Sequence, residues 1–244
     1  MHTHTRPTAV SRMIRKLFKF GVTLVALILT VFLAYQGFVL TKLWWWTDHD
    51  PTSTAFMAAR LDVMREKNPA AALKHQWQPY EKISGHLKRA ILVAEDDKFV
   101  DHEGFDWEGI QKAREKNQRK GRVVAGGSTI SQQLAKNLFL SGERSLIRKG
   151  EEAIITVLME WVMDKERILE IYLNVIEWGD GVFGAEAAAR HYFGVGAAEL
   201  SAIQAATLAA MVTRPRFYDR NRNAPWLLKK TQLILERMPR AQLP

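Results

Sequence analysis

The sequence predicts a mainly α protein: one N-terminal membrane-spanning helix followed by a single helical domain. Three observations carry this reading. From Phe20 to Thr41 no residue is charged, and the 22-residue run is long enough, at about 1.5 Å per residue, to cross a hydrocarbon core of about 30 Å. Beyond residue 55, apolar residues recur at spacings of three and four, and the alternation typical of strands is scarce. Glycine and proline punctuate these periodic segments at intervals that leave short connections. The 244 residues leave room for one sizeable core, and shares of 47% apolar and 25% charged residues are those of an ordinary globular protein. The absence of cysteine removes disulfide scaffolds, thiolate metal sites and cysteine nucleophiles.

The net charge of +9 is placed unevenly. Six basic residues and no acidic one lie before residue 44, so the rest of the chain is close to balance and a nucleic-acid-binding reading loses its support. Residues 1–19 form a basic segment and residues 20–43 the span. Lys42 and Trp44-Trp45-Trp46 follow it. Basic residues before the span and an aromatic cluster after it predict a cytoplasmic N-terminus, with everything after Trp46 outside the cytoplasm. The alternative, a cleaved signal peptide, ordinarily has a shorter apolar core and a small-x-small site at its end.

Residues 44–79 read as a membrane-proximal linker and first helix, the polar stretch TDHDPTST leading into FMAARLDVMREK. The main helical domain then occupies 80–244. Helical periodicity marks HLKRAILVAEDD, ISQQLAKNLFL, EEAIITVLMEWVM, KERILEIYLNVIEW, AEAAARHYF, AAELSAIQAATLAAMV and APWLLKKTQLILERM. Breaks are expected at Gly104, Gly121, Gly126-Gly127, Ser141-Gly142, Gly179 to Gly184, Gly194 to Gly196 and Pro215.

Four stretches carry candidate chemistry. Glu95-Asp96-Asp97 closes an apolar helix, where the helix C-terminus and neighbouring acids should raise the pKa of Glu95 and suit it to proton transfer. A solvated acidic cap is the alternative, and His102 alone reads as structural. The basic run Lys112 to Arg122 is either a solvated face or a site for anionic lipid or pyrophosphate. In GGSTISQQLAKN from Gly126, Thr129 and Gln132 fit a capping box, and exposed backbone N–H groups at the helix start would suit a phosphate, with Lys136 about two turns along. The lysine that a nucleotide-binding loop needs before its serine is missing, and a plain capped helix with Gln133, Lys136 and Asn137 on its wet face is the other reading. Last, Glu152, Thr156 and Glu160 form a narrow polar stripe on an otherwise apolar helix. Such carboxylates need partners or a task, and Arg148 four residues before Glu152 offers an intrahelical ion pair.

In this order, EDDKFVDHEG from Glu95, GGSTISQQLAKN from Gly126 and RKGEE from Arg148, followed by Tyr172-Leu173-Asn174 and GAEAAA from Gly184, resemble the peptidoglycan glycosyltransferase family, glycosyltransferase family 51. The likeness covers about residues 80–214, and VIEWGDGVFGAEAAARHYFG is similar to its monofunctional biosynthetic branch. The resemblance implies a lysozyme-like helical domain with a small membrane-proximal subdomain, including parts of residues 105–140, and no transpeptidase activity. It implies polymerisation of lipid II into glycan strands with release of undecaprenyl pyrophosphate. Glu95 would be the general base on the acceptor hydroxyl, and Glu152 a second essential acid. Arg148, Lys149 and Lys136 would neutralise the pyrophosphate, Ser128, Thr129, Gln133 and Asn137 would line the same cleft, and Asp96, Phe99, His102, Glu160, Tyr172 and Asn174 would shape the motifs. No tightly bound cofactor is implied; the family pattern leaves room for a divalent cation, Mg2+ or Mn2+, at the pyrophosphate. The implied partners are lipid II, the lipid-linked strand, membrane lipids and other cell-wall synthesis or division proteins, with no nucleic acid. The implied address is the bacterial inner membrane, with the catalytic domain periplasmic. A lysozyme-like lytic transglycosylase or hydrolase would share the fold and glutamate without needing the pyrophosphate cations, and an inactive envelope scaffold would keep the fold alone. Departures from the family pattern stand at Trp161, at Asp180 and in the basic approach to the second motif.

Overall fold

The computed structural model describes residues 9–141 and 145–244. The expected basic segment 1–19 therefore falls outside them as far as residue 8, as does Gly142 of the expected break. The chain divides into two compact units, residues 1–42 and 43–244.

The first unit consists of the greater part of α1 (Ala9–Trp45). Within its stretch from Arg15 an 18-residue window reaches a mean hydropathy of 2.4, and the helix is long and apolar enough to cross a membrane. Leu24, Val25 and Ile28 are exposed, as lipid-facing side chains would be. The hydroxyls of Thr30 and Thr41 donate to the carbonyls four residues earlier, which leaves neither a bare polar group in hydrocarbon.

The second unit is helical around a small sheet. It begins where Trp46 packs on Phe139, and Arg167 donates to the carbonyls of Trp46 and His49. Next come α2 (Ala55–Lys67), α3 (Gly85–Glu95), α4 (Trp107–Lys120), α5 (Ile130–Phe139), α6 (Leu146–Val162) and α7 (Lys165–Val175). After these follow α8 (Ala185–Phe193), α9 (Ala202–Met211), α10 (Pro215–Arg220) and α11 (Pro225–Arg237). α3, α9 and α11 pack together, while α5 lies against α2, α6 and α7. From Ile168 to Val175 nearly every side chain of α7 is buried, so this helix forms much of the core.

Several elements differ from the periodicity reading. The segment beginning at Lys165 stops being helical at Val175, and Glu177–Gly179 is strand β2, following β1 at Lys74–His75. With β3 (Val182–Phe183) these form a sheet in the order β1-β3-β2, β3 being parallel to β1 and antiparallel to β2. The passage from β3 into α8 needs Gly184 at φ +82°, where a Cβ would stand 2.7 Å from the Asn174 carbonyl. The segment from Ala197 is broken before α9 by a second capping box, Ser201 with Gln204. α4 was hidden by its charge, and the break expected at Pro215 is the short connection between α9 and α10, Pro215 itself starting α10.

Candidate active site

The Glu95 carboxylate ends α3 and is almost enclosed, with 11% of its side chain exposed. Gln133 Nε2 donates to its Oε2 at 3.1 Å, and Lys230 Nζ from α11 stands 3.7 Å from its Oε1. Tyr172 of α7 donates its hydroxyl to Gln133 Oε1 at 3.0 Å. An ionised carboxylate only accepts, so the amide of Gln133 must turn its NH2 to Glu95 and its oxygen to the tyrosine. Burial raises the pKa of Glu95, opposed by the Lys230 charge and the Gln133 hydrogen bond; the neighbouring Asp96 adds only a small upward push. The expected direction holds, but the principal cause is desolvation, not the acidic neighbours. Burial also holds the Tyr172 hydroxyl well above its ordinary pKa, so it remains a proton donor.

Asp96 does different work. Its Oδ1 lies 3.0 Å from His102 Nε2, and its Oδ2 accepts the backbone N–H of Ile130 at 3.0 Å. Thr129 caps α5 with Gln132 in the reciprocal pattern expected from the sequence, and its hydroxyl donates to the Gly104 carbonyl at 2.7 Å. The amides of Thr129, Ile130 and Gln132 are therefore all engaged inside the protein. This overturns the expectation that the start of α5 offers open N–H groups to a phosphate: the first motif supplies the anion there.

The polar stripe on α6 faces inward. Glu152 is buried and pairs with Lys149 and, at 3.4 Å, with Arg148. Lys149 also reaches Ser128 Oγ at 3.3 Å, which ties the second motif to the third. Thr156 donates to the Glu152 carbonyl, and Glu160 accepts from Ser131 and, at 2.8 Å, from Lys165. Lys165 in turn sits 4.6 Å over the ring of Phe99. Opposite this stripe, Ile147, Ile154, Val157 and Trp161 form an exposed apolar row.

Two adjoining hollows frame these groups. One of about 250 Å³ is lined by Glu95, Asp97, Asp106 and the Gly126 to Thr129 backbone. The other, about 630 Å³, shares Gly127 and Ser128 with it and continues to Lys149, Arg114, Arg122 and the apolar side chains Ile110 and Val123. Lys136 lies in a third cavity, together with Arg148. Gln133, Lys136 and Leu140 follow one side of α5 and its end, so Glu95, through Gln133, and Lys136 stand along the same side of that helix, although the hollow of Glu95 and the cavity of Lys136 share no lining residue.

Asn137 is buried on α5, whereas Asn174 serves the fold, bonding the Gln78 backbone on both sides. Lys230, Ser131 and Lys165 were missed by sequence reasoning. Lys230 and Ser131 meet their partners across distant segments, and Lys165 reaches Glu160 across the turn between α6 and α7, where no helical spacing marks it. Among the described residues no group of three or more histidine or acidic side chains could hold a metal ion, and both Glu152 oxygens are occupied by cations. The donor set does not fit a protein-held divalent site.

The family model described as Transglycosylase matches residues 62–239. Similar proteins named biosynthetic peptidoglycan transglycosylase include one from Herminiimonas arsenicoxydans, 58% identical over 96% of this chain and all of the relative. Those from Nitrosospira multiformis and Dechloromonas aromatica are 61% and 64% identical, each over 88% of this chain and 94% and 93% of the relative.

Proposed function

The chain belongs to the transglycosylase family, and from that premise we propose that it polymerises lipid II into glycan strands with Glu95 as the general base. It is a peptidoglycan transglycosylase, a glycosyltransferase. In the proposed step, Glu95 takes the proton of the acceptor sugar hydroxyl as that oxygen attacks the anomeric carbon of the lipid-linked strand. The bond from that carbon to the pyrophosphate breaks with inversion, and undecaprenyl pyrophosphate leaves. Lys136, Arg148 and Lys149 offset the charge that develops on the leaving group. Glu152 positions Arg148 and Lys149 for that task. Ser128, Thr129, Gln133 and Asn137 line or brace the cleft, and Asp96, Phe99, His102, Glu160 and Tyr172 hold its motifs in place.

The observation that carries this reading is the pairing, along one face of α5, of a buried carboxylate of raised pKa with a cationic cavity. A hydrolase of the same polymer would have no use for the second half. A divalent cation in this reading would arrive with the pyrophosphate, as no cluster of three or more histidine or acidic side chains stands ready for one among the described residues. The proposal is for polymerisation alone, without peptide cross-linking.

The apolar N-terminal helix suggests a membrane anchor. The basic flank before the span and the tryptophans after it favour a cytoplasmic N-terminus and an outer catalytic unit. The exposed apolar row on α6 suits contact with lipid, where the substrate resides. Incubating the purified protein with labelled lipid II tests the reading. Long strands from the wild type and none from Glu95→Gln would support it; shortening of preformed glycan with lipid II untouched would replace it with a lytic activity.

A further inference from the structure

The helix that brings Lys230 to Glu95 also carries an aromatic side chain with no place in the machinery proposed above. α11 packs on α9 and α3, and Leu227, Thr231 and Ile234 are its buried residues. Beside them, Trp226, Lys230, Leu233 and Arg237 recur at i, i+4, i+7 and i+11, which makes them one flank of the helix. Lys230 shows where that flank lies: its Nζ stands 3.7 Å from Glu95 Oε1, and only 17% of its side chain is exposed. The flank therefore borders the proposed base. Trp226 lies about one turn, roughly 5.4 Å, before Lys230, and Pro225 at the helix start fixes the backbone that presents it. Yet 63% of Trp226 is exposed, and it makes no hydrogen bond, ring stack or cation contact among the described residues. An isolated exposed aromatic needs no explanation in itself. This one stands one helical turn from the lysine that touches the base.

Glu95 is met from two sides. Its Oε2 accepts from Gln133 of α5, the helix whose same side carries Lys136, and its Oε1 faces Lys230 of α11. The cations that receive the leaving group belong to the α5 side, so the α11 side is left for the incoming sugar. A pyranose ring carries hydroxyls round its edge and C–H bonds on its faces. With a hydroxyl directed at Glu95, one face remains to be covered, and a flat indole with two side-chain torsions covers it at little cost in rotamer freedom. Such a platform also keeps the hydroxyl within reach of attack.

We propose that Trp226 is a stacking platform for a sugar ring of the acceptor, holding the glycan of lipid II against α11 while its hydroxyl meets Glu95. The proposal rests on the reading that Glu95 deprotonates that hydroxyl. It assigns α11 to the acceptor side of the site and gives Trp226 a part in binding and orientation, with none in proton transfer.

The test uses the full chain in detergent, with a short preformed lipid-linked strand as donor and lipid II as acceptor. With the strand saturating, Trp226→Ala should raise KM for lipid II about tenfold and leave kcat within about twofold, and Trp226→Phe should recover most of the loss. KM for the strand, measured with lipid II saturating, should not move. An unchanged KM for lipid II in Trp226→Ala overturns the platform, and a rise confined to the strand overturns its place on the acceptor side. The melting temperature of Trp226→Ala should match the wild type, because the ring is exposed; a fall that parallels the loss of activity would make the effect structural and overturn the proposal. A second readout does not depend on turnover. The indole N–H resonance of Trp226, identified by its disappearance in Trp226→Phe, should shift on titration with a soluble tetramer of N-acetylglucosamine, and a resonance that stays in place overturns the sugar contact. If the wild type does not polymerise lipid II, the parent reading falls, and the indole titration alone decides whether a sugar binds at Trp226.

Discussion

The carboxylate of Asp96 accepts the backbone N–H of Ile130 at 3.0 Å, so the residue next to the proposed base closes the N-terminus of the helix that carries Gln133 and Lys136. His102 Nε2 lies within hydrogen-bond distance of both carboxylate oxygens, at 3.0 and 3.2 Å, and the second of them also serves this helix end. Base and cation rows are thereby held in register.

Asp96→Ala would leave the Ile130 amide and His102 without their buried partner. The expected cost is about 2–3 kcal/mol, read as a lower urea midpoint with an unchanged slope. Asp96→Asn, which keeps an oxygen for Ile130, should lose less. A change within about 0.5 kcal/mol for the alanine variant would show that the link does not brace α5.

Glu95→Gln should reduce strand formation by about 10²- to 10⁴-fold, since the amide cannot take a proton. Its effect on stability should run the other way. The raised carboxyl pKa means that the folded protein binds this proton more tightly than the unfolded chain does. Ionisation of Glu95 is therefore destabilising; the effect is absent below the unfolded pKa of 4.5, grows as pH rises through the window above it, and is complete above the folded pKa. Melting temperatures at neutral pH should be equal or higher in Glu95→Gln, with the gap closing in acid.

Lys230→Met removes the charge that most opposes the upward shift of Glu95. The acidic limb of the kcat/KM profile should move to higher pH, with activity recovered as pH is raised. A limb that stays in place would separate Lys230 from the titrating group.

Tyr172→Phe deletes the hydroxyl that orients the Gln133 amide. Loss of one such hydrogen bond, about 1 kcal/mol, corresponds to about a fivefold fall in kcat. The affinity for prenyl diphosphate should not change, which separates the proton-transfer end of the cleft from the cationic end.

Gly104 has φ +86°, and a Cβ there would stand 2.7 Å from Thr156 Cγ2 and 3.1 Å from Glu160 Cγ. Gly104→Ala should destabilise the protein by about 1–3 kcal/mol, measured by thermal or urea unfolding, through backbone strain and displacement of the α6 stripe.

Local pattern reached a long way in this chain. An uninterrupted apolar run announces a spanning helix, because its length must match a bilayer. The Thr129 and Gln132 cap, the end of α3 at Glu95 and the inward stripe of Glu152, Thr156 and Glu160 were legible for a similar reason. Each depends on residues three or four apart, which the helix brings together wherever it forms. The turn of β2 into β3 and the charge-rich α4 were not, since short strands and an exposed helix leave little periodic signal.

The order of the chain by itself determined the long apolar N-terminal helix, most of the helical elements and the family motifs. Only the tertiary structure decided what those residues meet: Asp96 filling the phosphate position expected at α5, Lys230 facing Glu95, and Arg60 and Arg216 closing a cavity around Lys136 and Arg148. These meetings join segments far apart in sequence. They follow from how the apolar faces of α2, α3, α5, α10 and α11 are buried together, and no local spacing encodes that packing.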